Sequence, residues 1–286
     1  MERKEFQKFL LNAEKALGEA GIESPAAEVA IILEHILEVD RLQIYLHGAE
    51  LINDNVMKVF QRIVERRKTR HPLQYILGET YFYGRRFFVD EDVMIPTPET
   101  ELLCELAINY CTGSAIEFPE IIDIGTGSGV IAVTLSAELT GAWLTAVDKS
   151  QPALAVARQN AARHGVGERI QFLKSDLFSA LDPEAAFDLI LSNPPYIAEA
   201  EYPTLPPEVK SDPKIALLSG VEGLDTIKEL VAQAPQRLKP GGRLMFEIGY
   251  DQTEKIAEIT KNDSRYRSFS IIKDLNDIDR VIILSI

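Results

Sequence analysis

Residues 120–148 constrain the fold more than any other stretch of this chain. Glu120-Ile121-Ile122-Asp123-Ile124 is a short apolar run of strand type that opens directly into Gly125-Thr126-Gly127-Ser128-Gly129. An apolar helical segment runs from Val130 to Leu135, and Trp143-Leu144-Thr145-Ala146-Val147 then reads as a second strand ending at Asp148. Strand, turn, helix and strand in this order belong to a sheet of parallel strands with helices on its faces. The glycines allow a tight turn and a close approach of backbone to a ligand. An acid about twenty residues beyond such a turn, at the tip of the next strand, is placed to accept ribose hydroxyl hydrogens. A tight turn followed by a surface aspartate accounts for the same residues without any ligand.

The remainder of the C-terminal part keeps the same rhythm. Strands are expected at 120–124, 142–147, 169–174, 187–192, 243–248, 268–273 and 280–285, with helices at 98–110, 128–138, 151–163, 224–237 and 251–261. Lys239-Pro240-Gly241-Gly242 reads as a turn into the fifth strand. The expected class is α/β, a doubly wound, seven-stranded, mostly parallel sheet over residues 97–286. Residues 1–71 contain no convincing strand. Phe6, Phe9, Leu10, Ala13 and Leu17 recur at helical spacing, and Ser24-Pro25 starts a second helix with a cap and a proline at its first position. Its apolar face is Val29, Ile32, Leu33, Ile36 and Leu37, and further helices are expected near 41–48 and 54–69. This predicts a small helical bundle over 1–75, joined to the sheet domain by a β-hairpin linker over 76–96, in which residues 79–95 alternate and bend at Tyr83-Gly84-Arg85.

Ligands of such sheets bind beyond the carboxyl ends of the strands, where the glycine loop, Asp148, Asp176 and Asn193 all fall. Asn193-Pro194-Pro195-Tyr196 follows the apolar strand Phe187–Ser192. Its prolines fix φ and lack N–H groups, so the turn is rich in acceptors, and the Asn193 carboxamide adds another. Two acceptors and a flat ring suit a planar group bearing –NH2; a plain strand-ending turn has the same composition. The spacing G-x-G-x-G departs from the dinucleotide pattern, and Asp123 two residues before the first glycine is awkward beside a pyrophosphate but suits a cationic ligand. A positively charged nucleoside with a reactive methyl fits both features, which points to S-adenosyl-L-methionine, with S-adenosyl-L-homocysteine as product.

These features resemble the class I, Rossmann-like methyltransferases, and specifically the branch that methylates amino groups and carries an (Asn/Asp)-Pro-Pro-(Tyr/Phe) turn. Two further segments, Pro72-Leu73-Gln74-Tyr75-Ile76-Leu77-Gly78-Glu79 and Val93-Met94-Ile95-Pro96-Thr97-Pro98-Glu99-Thr100-Glu101, are similar to the peptide chain release factor glutamine methyltransferases (the HemK/PrmC family), and the similarity runs along nearly the whole chain. Thr97 stands where that family usually has Arg, and Leu177 where Trp is common; the latter weakens adenine stacking on that side, though Phe178 follows. The resemblance implies methyl transfer to the glutamine amide of the Gly-Gly-Gln motif in bacterial class 1 release factors, gripped by the helical bundle. The implied catalytic residues are Asn193, Pro194 and Tyr196, with Pro195 beside them in the substrate site. The implied cofactor residues are Asp123, Gly125, Thr126, Gly127, Ser128, Gly129, Asp148, Asp176, Leu177 and Asn193.

Charge narrows the partners. The net charge is −14, and residues 1–75 hold 11 Lys and Arg against 12 Asp and Glu, so the sheet domain carries nearly all of it. This disfavours a broad nucleic-acid surface, and no stable nucleic-acid partner is expected. The one basic cluster, Arg62, Arg66, Arg67, Lys68 and Arg70, reads either as a solvated helix end or as a contact for an acidic partner or RNA. Cys104, Cys111 and four scattered histidines show no metal spacing, and no metal is expected. Spare thiols, a charged start and no long apolar run predict a cytoplasmic chain with no membrane contact, expected as a monomer. Three other readings stay open: an amine methyltransferase acting on adenine or guanine of DNA or RNA, a nicotinamide dehydrogenase that leaves the Asn-Pro-Pro-Tyr turn idle, and a translation-factor binding module with a vestigial site.

Overall fold

The computed structural model describes residues 2–114, 116–261 and 263–286. The chain forms two compact units, one made of residues up to Glu79 with Pro206–Ser211, the other of Thr80–Leu205 with Asp212–Ile286.

The smaller unit is helical: α1 (Arg3–Glu19), α2 (Pro25–Leu37), α3 (Arg41–Leu51), α4 (Asp54–Arg67) and α5 (Leu73–Leu77). Proline opens α2 as its spacing predicts, but the Ser24 hydroxyl makes no capping bond. Asp40 and Asn53 do cap their helices, accepting from Gln43 N at 2.8 Å and from Asn55 and Val56 N at 3.0 and 3.1 Å. Phe6, Ala13, Leu17, Val29, Ile32 and Leu33, the positions of helical period, meet Phe60 and Leu73 in one core. Helix α5, which the sequence pattern does not announce, ends at Gly78 in the left-handed region.

The basic cluster is largely consumed inside this unit. Arg67, only 5% exposed, donates to both oxygens of Glu28 at 2.7 and 3.0 Å and to Glu208 Oε1 at 2.9 Å. Arg70 pairs with both Glu208 oxygens at 2.5 and 2.7 Å. Lys68 pairs with Glu65 at 2.9 Å. Burial alone would raise the Glu208 carboxyl, but the bonds from Arg70 and Arg67 outweigh it and lower it to about 2. Neither a free helix end nor an open anion site describes Arg67 and Arg70. They hold the carboxylate that fastens Pro206–Ser211 into the helical unit.

The larger unit begins with a hairpin, β1 (Glu79–Phe82) and β2 (Arg85–Phe88). Its two turn residues, Tyr83 and Gly84, both have positive φ, the geometry that matches strand twist. The second arm stops at Phe88, well short of the expected 95. Asp90 turns the chain, its side chain accepting from Asp92 N at 3.0 Å and its carbonyl from Val93 N at 3.2 Å, and Pro96 and Pro98 cannot donate to a ladder. Phe82 and Phe87 are buried in the core of this unit, so the hairpin is part of its packing and not a free connector.

The remaining elements are α6 (Glu99–Gly113), β3 (Glu120–Ile124), α7 (Val130–Glu138), β4 (Trp143–Asp148), α8 (Gln151–Arg163), β5 (Ile170–Lys174), β6 (Phe187–Ser192), α9 (Lys214–Leu217), α10 (Asp225–Gln233), β7 (Leu238–Glu247), α11 (Thr253–Lys261), β8 (Ser268–Lys273) and β9 (Asp279–Ser285). The strands form one sheet in the order β5-β4-β3-β6-β7-β9-β8. Only β9 runs against its neighbours, pairing antiparallel with β7 and β8. Adjacent residues of β3 point to opposite faces, Ile121 into one core cluster and Ile122 into the other. Both faces being covered explains why the parallel strands read as continuous apolar runs.

Strand β7 starts at Leu238, five residues before the expected position, and bulges at Gly241-Gly242. A Cβ on Gly242 would lie 2.9–3.1 Å from the carbonyl oxygens of Lys239, Asp188 and Phe187, so only glycine passes there. One buried polar residue ties hairpin, helix and glycine loop together. Asn160 of α8 accepts from Phe88 N at 2.7 Å and donates to Phe88 O at 2.9 Å and Ser128 O at 2.8 Å.

Candidate active site

The strand order reverses at β3, with β4 and β5 to one side and β6 and β7 to the other. A crevice at the carboxyl ends follows from that topology, and a cavity lined by residues of this unit lies there. The loop after β3, the tip of β4, the residues after β5 and the turn after β6 all reach it.

The glycine loop is built so that backbone faces the cavity. Gly125, Gly127 and Gly129 all have left-handed φ. Gly125 lines the cavity, and a Cβ on it would meet nothing within 4 Å, so a side chain there would project into space the fold leaves open. Gly129 serves packing: its Cβ would sit 3.0 Å from Ala157 Cβ where α7 meets α8. Gly127 N donates to Asp148 Oδ2 at 2.9 Å, and Ser150 N donates to Asp148 Oδ1 at 2.8 Å. Each Asp148 oxygen keeps a lone pair for a further donor. Burial raises the Asp148 carboxyl, opposed by the backbone bonds from Ser150 and Gly127.

Nine of the residues singled out from sequence line this cavity: Gly125, Thr126, Gly127, Ser128, Asp148, Leu177, Asn193, Pro194 and Pro195. Four do not. Gly129 lies behind the loop. Asp123 is fully buried beneath it, its Oδ2 accepting from Thr126 Oγ1 at 2.6 Å. Its Oδ1 makes no hydrogen bond of normal geometry, although the amide of Ala132 favours its charged form, and burial raises the carboxyl to about 7. Asp123 therefore shapes the loop from within and faces no cationic ligand. Asp176 points outward and pairs with Lys149 Nζ at 2.8 Å, while Ser175 and Leu177 on either side turn inward. Leu177 adopts φ +47, and Phe178 is buried in the core, so it supplies no ring to the cavity. Thr97 is exposed and away from the lining.

Tyr196 is the fourth. Its ring packs on the core cluster under the sheet and its hydroxyl donates to Glu247 Oε1 at 3.3 Å. Burial, with the charge of Glu247, keeps that phenol protonated. A half-buried phenol needs a partner, and the acid at the end of β7 supplies one. The expected stacking ring is thus an anchor for the turn. Gln252 holds the same turn from behind, donating to Tyr196 O at 2.9 Å and Gly223 O at 3.2 Å.

Asn193 stands on the opposite side of the turn. Its Nδ2 donates to Thr100 Oγ1 at 2.9 Å, and Thr100 Oγ1 donates to Glu247 Oε2 at 2.7 Å. The carboxamide nitrogen is thereby engaged by Thr100, which lines the cavity beside Asn193, and Oδ1 is the acceptor the carboxamide has left. Thr100 and Glu247 were not legible as site residues in the sequence. Glu247, however, ends the apolar strand Leu244-Met245-Phe246 beside the switch point, the same signal that marks Asp148. The opposite wall is apolar, with Val93, Met94 and Pro96 from the segment after the hairpin and Pro213, Ile215 and Leu218 flanking α9. Among the described residues no group of three or more His, Cys, Asp or Glu is placed to hold a metal ion, and no helix is long and apolar enough to cross a membrane.

Comparison with known proteins gives consistent results. The family model described as PrmC N-terminal domain matches residues 8–78, and that described as methyltransferase small domain matches 106–205. A release factor glutamine methyltransferase of Chlorobaculum tepidum is 40% identical over 92% of this chain and 90% of its own. One of Cereibacter sphaeroides is 41% identical over 93% of each. Among solved structures, a Thermus thermophilus 16S rRNA guanine N2 methyltransferase in complex with AdoMet and guanosine superposes with a TM-score of 0.53 at 18% identity, covering 72% of this chain and 49% of that one. That last likeness is one of fold.

Proposed function

This chain belongs to the release factor glutamine methyltransferases, and from that membership we propose that it transfers a methyl group from S-adenosyl-L-methionine to the side-chain amide nitrogen of the Gly-Gly-Gln glutamine in class 1 peptide chain release factors. The observation that carries the reading is the Asn193 carboxamide in the lining of the switch-point cavity, its nitrogen tied to Thr100 and its oxygen left as an acceptor. An acceptor held there suits a substrate that offers N–H bonds.

The cavity fits the cofactor. Gly125 and Gly127 give a wall without side chains, Asp148 retains acceptor capacity for ribose hydroxyls, and Leu177 offers an apolar border for the base. Asp176 stands outside the lining, paired with Lys149 at its edge, and is assigned no contact to the cofactor. Bound there, S-adenosyl-L-methionine supplies an electrophilic methyl carbon.

The protein's own residues deal with the poor nucleophilicity of an amide, whose nitrogen lone pair is delocalised into its carbonyl. Asn193 Oδ1 and the Pro194 carbonyl accept the two amide hydrogens, hold the nitrogen in place and favour its pyramidalisation. Orientation of this kind is worth up to about 7–11 kcal/mol in well-aligned cases. The same acceptors stabilise positive charge as it develops on nitrogen. The immediate product is the N-protonated N-methyl amide, a strongly acidic cation that gives its proton to water, so no dedicated base is needed. Tyr196 and Gln252 keep the turn in register, and the apolar wall of Val93, Met94 and Ile215 limits water at the reacting centre. The helical unit grips the release factor away from its reacting loop, and the protein acts as a cytoplasmic monomer without stable nucleic-acid partners.

The test is transfer of labelled methyl to purified release factor beside a copy whose Gly-Gly-Gln glutamine is alanine. Label on the unaltered factor alone supports the proposal. Label on neither, with DNA or RNA labelled instead, replaces it with the nucleic-acid reading.

A further inference from the structure

We propose that Glu247 is a positioning residue which, through the hydroxyl of Thr100, fixes the direction of the Asn193 carboxamide. The inference rests on the reading of Asn193 as the acceptor for the substrate amide.

The argument is one of hydrogen count. A threonine hydroxyl has one hydrogen to give. An ionised carboxylate can only accept. With Glu247 Oε2 2.7 Å from Thr100 Oγ1, that hydrogen is committed to Glu247, and Thr100 can only accept from Asn193, 2.9 Å away on its other side. Asn193 must then turn its –NH2 to Thr100 and its oxygen to the cavity. Protonation of Glu247 removes the constraint. A carboxylic acid can donate to Thr100, Thr100 can donate to Asn193, and the carboxamide can turn over to present –NH2, which repels a substrate that is itself a donor.

Glu247 is 1% exposed and bridges both ends of the turn, because its other oxygen accepts from Tyr196. Its surroundings make it a group that titrates near neutrality. Burial raises its carboxyl to about 7, opposed by Thr100, Arg280 and Tyr196 and aided by Glu99. Cys104 on α6 lies within its electrostatic reach, but burial keeps that thiol neutral. Arg280 from β9 is shared with Asp274, at 3.2 Å, and does not neutralise Glu247 by a direct bond.

Three variants of the full-length protein test this. Thr100→Val keeps the shape and removes the relay; kcat is expected to fall about 10- to 100-fold, the cost of a misdirected reacting group, while KM for release factor stays within about twofold. Thr100→Ser restores the hydroxyl and most of kcat. In the parent protein kcat falls with a one-proton limb as pH drops through about 7, whereas Glu247→Gln, which cannot ionise, loses that limb. The side-chain amide resonances of Asn193 provide a readout without turnover. They shift with the same midpoint in the parent and are pH-independent in Glu247→Gln. A Thr100→Val enzyme as fast as the parent, or an unchanged acid limb in Glu247→Gln, overturns the proposal. If the parent methylates no release factor, the functional reading fails, and the Asn193 resonances still decide whether Glu247 sets the carboxamide.

Discussion

Asn160→Ala is the substitution whose cost is most directly calculable. Asn160 is fully buried in α8, and its carboxamide makes three hydrogen bonds to backbone, two to Phe88 and one to Ser128. Alanine abandons all three and leaves one N–H and two carbonyls without partners. A hydrogen bond contributes about 1 kcal/mol net, and a buried orphan costs about 1–3 kcal/mol, so the larger unit is expected to lose roughly 3–5 kcal/mol. At a urea slope of about 3 kcal/mol/M this is a midpoint shift of at least about 1 M. Trp143, the chain's single tryptophan, opens β4 in the larger unit, so its fluorescence follows that unit without interference from the helical one. Far-UV circular dichroism checks that the slope is unchanged. Because Ser128 belongs to the glycine loop, affinity for S-adenosyl-L-methionine falls in the same variant. A loss below about 1 kcal/mol refutes the view that this one side chain clamps hairpin, helix and loop together.

Asn193→Ala removes the acceptor and is expected to lower kcat at least about 100-fold with cofactor affinity retained, as measured by calorimetry beside the methyl-transfer assay. Asp148→Ala and Asp176→Ala form a pair: the first weakens S-adenosyl-L-methionine binding by about tenfold or more, the second leaves it unchanged, because only Asp148 faces the cavity. Gly125→Ala, at φ +73 and projecting into that cavity, weakens binding as well, visible in the same titration. The Glu208 carboxyl is lowered to about 2, so its contribution to the helical unit is complete above its ordinary value of 4.5 and drains away as pH falls from there through 2. Glu208→Gln is expected to flatten that acid limb in a thermal melt monitored between pH 5 and about pH 2.

Local pattern carried most of the sheet. Phe187–Ser192 and Glu120–Ile124 read directly as strands because residues covered on both faces need no alternation. The early start of β7 was hidden because Pro240-Gly241-Gly242 announces a turn, and a bulge uses the same residues. The extra length given to the hairpin came from alternation that continues past Phe88, where Asp90 and the two following prolines end the ladder. At the site, residues on the glycine loop and the Asn-Pro-Pro-Tyr turn were legible because their chemistry is local. Thr100 and Glu247 were not, since they meet across 147 positions of sequence. Asp176 lies beyond the end of β5, where Ser175 and Leu177 line the cavity and Asp176 stands outside it, a placement that no sequence pattern announces.

The short excursion Pro206–Ser211 has a consequence for the order in which the protein matures during synthesis. The first 79 residues leave the ribosome as an apparently finished helical domain, yet Arg70 still lacks its carboxylate and Arg67 has only Glu28. Glu208 emerges after nearly three-quarters of the chain has been made. Until then the guanidinium of Arg70 has no carboxylate, and the buried Arg67 has one of its two. A fragment cut at residue 79 inherits the same deficit, so the boundary that sequence similarity draws is not the boundary of the folding unit.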